Sequence, residues 1–181
     1  MSVVDEIFGL FRKGGAENYY GEAVSMLEHA LQTAHFATKA GAPHALVVAA
    51  LLHDIGHLVE DVPADIADWK VDARHEERGA AWLARHFGPD VCNPVRLHVP
   101  AKRFLCATDP GYFALLSPAS VATLKLQGGP MSRDEIAAFE AIPFHCEAVR
   151  VRRFDDAGKV AGLETAPLER YRGLIEAAAE A

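Results

Sequence analysis

Residues 44–58 read HALVVAALLHDIGHL, and the distribution of apolar residues in them decides the fold. The run is apolar almost all round rather than along one stripe, which describes a helix buried at the centre of an all-α domain. His53 and Asp54 stand near its end. Polar side chains in such a setting cost about 1–3 kcal/mol each when they lack partners, and a metal ion removes that penalty. Imidazole nitrogens and carboxylate oxygens suit iron, manganese or zinc, and one carboxylate has two oxygens with which to bridge two metals.

The flanking sequence is also helical in pattern. Val4, Ile7, Phe8 and Phe11 recur at helical spacing over residues 3–12, with Gly14-Gly15 as the stop. A second helix is expected from Glu22 to about Lys39, ending at Gly41 before Pro43, which sets Glu22 and His29 two turns apart on nearly one face. Residues 60–74, with Pro63 and several Asp, read as a connecting loop. His75 then opens the helix HEERGAAWLARHF, with Gly88 as its stop. Pro94 is expected to begin the helix that holds His98 and, one turn later, Lys102, with Pro100 kinking or shortening it. A short apolar helix sits among turn formers in GYFALLSPASVATLKLQGGP, and Ser132 with Glu135 forms a capping box for the next one. Residues 142–153 continue as a helix that finishes in RVRRFDDAGK, and Pro167 starts a last amphipathic helix with Leu168, Tyr171 and Leu174. No period-2 alternation and no internal repeat competes with these signals.

At 181 residues, half of them apolar, the chain is expected to form one domain over residues 1–181. Lys and Arg number 18 against 25 Asp and Glu, a net charge of −7. That balance argues against a nucleic-acid partner and leaves room for a local cationic pocket. Cys92, Cys106 and Cys146 are far apart and form no CxxC, so neither a disulfide framework nor a zinc knuckle is expected, and a reducing cytoplasm fits. The start MSVVDEIFGLF lacks a basic segment before a long apolar run, and no stretch approaches a membrane span, so neither export nor a membrane is expected.

Around His53-Asp54 stand His29, His75, His98 and Asp155. The order His, His-Asp, His, His, Asp supplies six side chains, one or two more than a mononuclear centre takes, which points to a dinuclear site. His35, His44, His86 and His145 fall outside the pattern. His57, one turn beyond His53 and read as lying on the same helix, is placed to reach the mouth of the site.

With these residues the sequence resembles the HD-domain superfamily, helical bundles whose usual members are metal-dependent phosphohydrolases, over about Tyr19 to Lys159. It is more closely similar to a smaller branch, the mixed-valent diiron oxygenases, which includes myo-inositol oxygenase and the PhnZ-type phosphonate-cleaving enzymes. The segment YYGEAVSMLEHALQTA makes the distinction. Tyr19, Gly21 and Glu22 match the Tyr-x-Gly-Glu pattern of the phosphonate-cleaving enzymes, and His29 follows Glu22 by seven positions.

The resemblance implies an HD-type helical bundle and two iron ions (Fe2+/Fe3+), with O2 as co-substrate. His29, His53, Asp54 and Asp155 would hold the first iron, and Asp54 would bridge to a second held by His75 and His98. Asp155 is taken over Asp156 because the family's terminal Asp directly follows an aromatic residue, here Phe154. Tyr19 would occupy a coordination position until substrate displaces it, and Glu22 would help to hold the lid. His57, Lys102, Ser120 and Arg152 match the positions that bind the phosphonate, for which Lys and Arg supply charge-assisted donors.

The implied reaction is O2-dependent cleavage of the C–P bond of a 1-hydroxyphosphonate. The substrate expected first is (R)-2-amino-1-hydroxyethylphosphonate, giving glycine and phosphate, and an upstream 2-oxoglutarate-dependent hydroxylase would supply it. The trimethylammonio analogue, giving glycine betaine, is a second reading within the same chemistry. Metal-dependent phosphohydrolysis is a different class that His57 and Lys102 would serve equally well, and a non-catalytic domain that only binds a phosphorylated metabolite is a third.

Overall fold

The computed structural model describes residues 2–19, 21–59 and 74–179. Among them nine α-helices run in the order α1 (Val3–Gly14), α2 (Met26–Lys39), α3 (His44–Leu52), α4 (His75–Leu83), α5 (Pro89–Thr108), α6 (Pro118–Leu126), α7 (Arg133–Glu140), α8 (His145–Ala157) and α9 (Arg172–Ala179). Short 3-10 turns cover Ile55–His57, Tyr112–Leu115 and Leu168–Tyr171. One isolated bridge, between Asn18 and Ser25, is the extended pairing among the described residues. The architecture is all-α.

The helix read as central is central. Every residue from Leu46 to Leu52 is at most 2 % exposed, and α3 packs against α2, α5, α8 and α9. Each Leu or Val so buried contributes about 1.5–3 kcal/mol. Around α3, the buried Val4, Ile7, Phe8 and Phe11 of α1, Leu83 of α4, Val91 and Val95 of α5 and Ile175 of α9 complete one apolar cluster. A smaller cluster joins Leu97 and Ala101 of α5 to Phe139 and Ala148. The longest helix, α5, lies along α8 and α4, and α2 also lies along α8. Three helices therefore converge on the end of α3 where His53 and Asp54 stand. No described helix is long and apolar enough to cross a membrane.

Local chemistry sets the boundaries, and several differ from the sequence reading. The second helix begins at Met26 rather than at Glu22, because Ser25 has extended backbone (φ −78°, ψ 166°) and caps the helix reciprocally with Glu28. Glu22 thus belongs to the turn before α2. The fourth helix stops at Leu83, and Gly88 caps the start of α5 instead of closing α4. Pro89 takes the first position of α5, and the helix runs through both Pro94 and Pro100 to Thr108. Each internal proline forfeits one backbone bond, but Val91, Val95, Leu97, Val99 and Leu105 are all buried along the helix and hold it to its course. The capping box of Ser132 and Glu135 opens α7 as read. The loop expected over residues 60–74 lies outside the described residues except for Arg74.

Candidate metal centre

The apolar helix α3 ends at Leu52, and His53 and Asp54 occupy the turn that follows. There Asp54 faces two separate pairs of histidines. Its Oδ2 lies 3.3 Å from His53 Nε2 and 3.7 Å from His29 Nε2. Its Oδ1 lies 3.1 Å from His75 Nε2 and 3.4 Å from His98 Nε2. Within each pair the Nε2 atoms almost touch, at 3.1 Å for His29 and His53 and 3.2 Å for His75 and His98. Asp155 closes the first group, with Oδ1 3.3 Å from His29 Nε2 and 3.9 Å from His53 Nε2. The donors come from α2, the end of α3, α4, α5 and α8.

The opposite ring nitrogens fix the tautomers. His29 Nδ1 donates to Gly158 O (2.8 Å), His53 Nδ1 to Ala50 O (2.9 Å) and His98 Nδ1 to Val95 O (2.7 Å). A neutral imidazole that donates at Nδ1 presents a lone pair at Nε2. Four Nε2 atoms therefore converge on Asp54, and the buried Asp54 Oδ2 and Asp155 Oδ1 receive no hydrogen bond. Facing lone pairs and orphaned carboxylate oxygens are a costly arrangement unless cations sit among them. The donor set fits two positions, His29, His53 and Asp54 around one and Asp54, His75 and His98 around the other.

Without metal, protons take up part of that role. Burial disfavours the His53 imidazolium, but the Asp54 carboxylate more than offsets it and lifts the ring to about 9. Burial tends to raise Asp54, and the opposing charge of His53 holds it well below the usual carboxylate range. Asp155 is likewise depressed, against burial, by Arg152 and Lys159. Burial pushes His98 down.

Cations line one side of this cluster. Lys102, one turn after His98 on α5, is buried and donates to Thr123 Oγ1 (2.9 Å). Burial and the neighbouring Arg152 bring its ammonium down to about 7. Arg152 is buried on α8, with Nη1 2.7 Å from Asp155 Oδ2 and Nε donating to the Tyr112 hydroxyl (3.0 Å). Its Nη2 pairs with Asp156 and reaches Ser120 Oγ at 3.4 Å. Lys159 Nζ donates to the same Ser120 Oγ (3.1 Å) and stands 3.5 Å from Glu22 Oε1. Ser120 is therefore the point where the two cations meet.

Tyr19 and Glu22 lie over the centre. The Tyr19 ring stacks on His29 at 4.0 Å between centroids, and burial together with the Asp54 and Asp155 carboxylates pushes its phenol well above the usual range. Glu22 Oε1 accepts from Ser117 Oγ (2.5 Å), which ties the turn before α2 to the start of α6. His57 does not share a helix with His53. The chain breaks after α3, and His57 sits in the 3-10 turn, its ring stacked on His75 at 4.1 Å. Burial and His75 hold it well below the usual histidine range.

All twelve candidate residues thus gather at one place. Asp155 faces the histidines, while Asp156 turns to Arg152 and Tyr112. Sequence reasoning missed Lys159, Tyr112, Thr123 and Ser117, and weighed Asp156 only as an alternative to Asp155. Only Lys159 carried a readable signal, its position four residues after Asp155, just beyond the end of α8.

Residues 26–112 match the HD domain family. The chain is 44% identical over 175 residues to the 1-hydroxy-2-(trimethylamino)ethylphosphonate dioxygenase (glycine-betaine-forming) of Leisingera caerulea, covering 97% of this chain and 89% of that protein. It is also 44% identical over 182 residues to the hydroxymethylphosphonate dioxygenase of Gimesia maris, covering 98% and 88%. An uncharacterized protein of Acanthamoeba polyphaga mimivirus is 34% identical over 174 residues, covering 95% and 80%.

Proposed function

The chain belongs to the HD-domain family of phosphonate dioxygenases, and on that footing we propose that it cleaves the C–P bond of a 1-hydroxyphosphonate with O2 at a centre of two iron ions. The observation that carries the reading is the placement of Asp54, one carboxylate oxygen toward each histidine pair. A hydroxyphosphonate and O2 balance as a carboxylate, hydrogen phosphate and one proton. (R)-2-amino-1-hydroxyethylphosphonate, which would give glycine, is the substrate proposed first. The name of the Leisingera relative favours the trimethylammonio compound as a second reading.

His29, His53, Asp54 and Asp155 would hold one iron, and Asp54, His75 and His98 the other. When bound, the metals supply Lewis acidity toward the hydroxyl and phosphonate oxygens and the electrons that activate O2.

The protein's own groups do the rest. Lys102 and Lys159 give the phosphonate dianion two cationic partners, and the Ser120 hydroxyl stands between Lys159 and Arg152. Arg152 spends most of its donors on Asp155, Asp156 and Tyr112, so it fixes the Asp155 carboxylate while lending positive charge to the pocket. His57 is held neutral at rest, so it can accept a hydrogen bond from the substrate hydroxyl. Tyr19 covers His29 and keeps water from that face until substrate moves it aside. Glu22, anchored by Ser117 and Lys159, sets the position of that turn.

The test is O2 uptake and phosphate release by iron-loaded protein with (R)-2-amino-1-hydroxyethylphosphonate, its trimethylammonio analogue, hydroxymethylphosphonate and a phosphate ester. Phosphate released from a hydroxyphosphonate only when O2 is present supports the proposal and selects the headgroup. O2-independent release from the ester would assign the protein to the phosphohydrolases.

A further inference from the structure

Three of the four histidines have their Nδ1 anchored by a peptide carbonyl. His75 differs. The polar atom facing its Nδ1 is Oε2 of Glu76, at 3.5 Å. Glu76 is 7% exposed, and that oxygen receives no hydrogen bond. A carboxylate at the first turn of a helix interacts well with the helix dipole, but Glu77 already supplies such a charge there and does so in water. Helix electrostatics therefore give no reason to bury the second one. Burying a carboxylate without a donor is unfavourable, and the His75 ring, 3.5 Å away, is able to donate to it.

We propose, on the reading of this cluster as a two-metal centre, that Glu76 is the positioning residue of its His75 side, receiving the His75 Nδ1–H so that Nε2 is presented to the metal. A carboxylate partner fixes ring orientation and raises ligand basicity more than a neutral carbonyl does. The two metal positions are then unequally supported. The His29/His53 position relies on peptide carbonyls, which side-chain substitution does not alter. The His75/His98 position depends on one replaceable side chain. The backbone sets His75 apart as well, because it is the first residue of α4, directly after Arg74 at φ +47°, whereas His29 and His98 lie inside their helices.

The experiment is a metal titration of the full-length apoprotein, with Fe(II) under anaerobic conditions and with Zn(II) for a diamagnetic sample. Wild type is expected to take two equivalents. Glu76→Gln is expected to keep one at wild-type affinity and to weaken the other about 10–100-fold, and Glu76→Asp to recover part of the loss. In zinc-loaded wild type, 15N–1H spectra should place a hydrogen-bonded proton on His75 Nδ1. Glu76→Gln should move that resonance and leave those of His29, His53 and His98 in place, which a general loss of stability would not do. Two metals bound with unchanged affinity in Glu76→Gln would overturn the proposal alone. Should the variant not fold, a His75 Nδ1 without a proton in the wild-type spectrum overturns it equally. Wild type taking fewer than two metals would instead remove the two-metal reading, and this proposal with it.

Discussion

Gly56 lies where the turn after Asp54 meets the first turn of α4, and a single methyl group there tests how the second histidine pair is held. A Cβ on Gly56 would stand 1.9 Å from the His75 carbonyl oxygen, 2.8 Å from His75 C and 2.9 Å from Gly79 N. All three obstacles are backbone, so no rotamer change relieves them. Ordinary contact begins near 3.4 Å, so Gly56→Ala must part the two segments by about 1.5 Å. His75 Nε2 now lies 3.1 Å from Asp54 Oδ1 and 3.2 Å from His98 Nε2, and a displacement of that size takes it out of any shared coordination sphere. Overpacking of this kind costs about 1–3 kcal/mol, roughly 2–12 °C in Tm for a chain of this length. The expected outcome is a folded protein that holds about one metal per chain, because His29 and His53 are anchored on other elements. Metal analysis after gel filtration, with a thermal melt of the metal-free form, measures both quantities. Two tightly bound metals with an unchanged melt would refute the claim that this glycine contact registers His75 against Asp54.

Gly158→Ala is the mirror experiment. A Cβ there meets Thr33 Oγ1 at 2.6 Å and Thr33 N at 3.1 Å, and Gly158 O is the acceptor that orients His29, so metal loss should fall on the His29/His53 position, read from the same stoichiometry. Lys102 should matter most while it is charged. The ratio of kcat/KM between wild type and Lys102→Met is expected to be about 100 at pH 6, from the lost charge-assisted contact, and to shrink about tenfold per unit above pH 7 as the free ammonium titrates near 7. Stability of the metal-free protein should rise with pH up to about 6.5 and then level off. His57 and His98 are depressed, so stability is removed as pH falls below 6.5. Above that, two groups oppose each other: His53, raised to about 9, loses on the order of 3 kcal/mol as pH climbs through 9, while Lys102, lowered from 10.5 to about 7, restores a similar amount as pH climbs above 7. Urea titrations between pH 5 and 9 measure this, and stability that falls steadily from pH 5 to 6.5 would contradict it.

The parts of this molecule that the sequence revealed are those in which one residue type in one local pattern has one physical solution. Residues 44–52 are apolar on every side, and only a buried helix accommodates that. His53-Asp54 at its end had to be paired, and the fold brings His29, His75, His98 and Asp155 to it. Helix boundaries were less legible, because they depend on competition between local signals and packing. Pro94 and Pro100 argue against a continuous helix, and the buried apolar face of α5 outweighs them. Gly88 is a stop signal in isolation, but it serves as a start because Pro89 follows it.

The polar support of the site was hidden for a different reason. Tyr112 reaches Arg152 from 40 positions away, Ser117 reaches Glu22 from 95, and Gly158 reaches His29 from 129. None of these residues has a type or spacing that announces such a contact. Glu76 is the subtler case, since beside Glu77 at the start of a helix it reads as ordinary surface charge. Only its burial separates the two, and burial is a tertiary property, here of a helix packed on α5 and on the turn of Ile55–His57. The candidate ligands are thus legible in local sequence, while the groups that orient and charge them are set by tertiary contacts. Substitution of the second kind should therefore change metal affinity and pH dependence while leaving the helices in place.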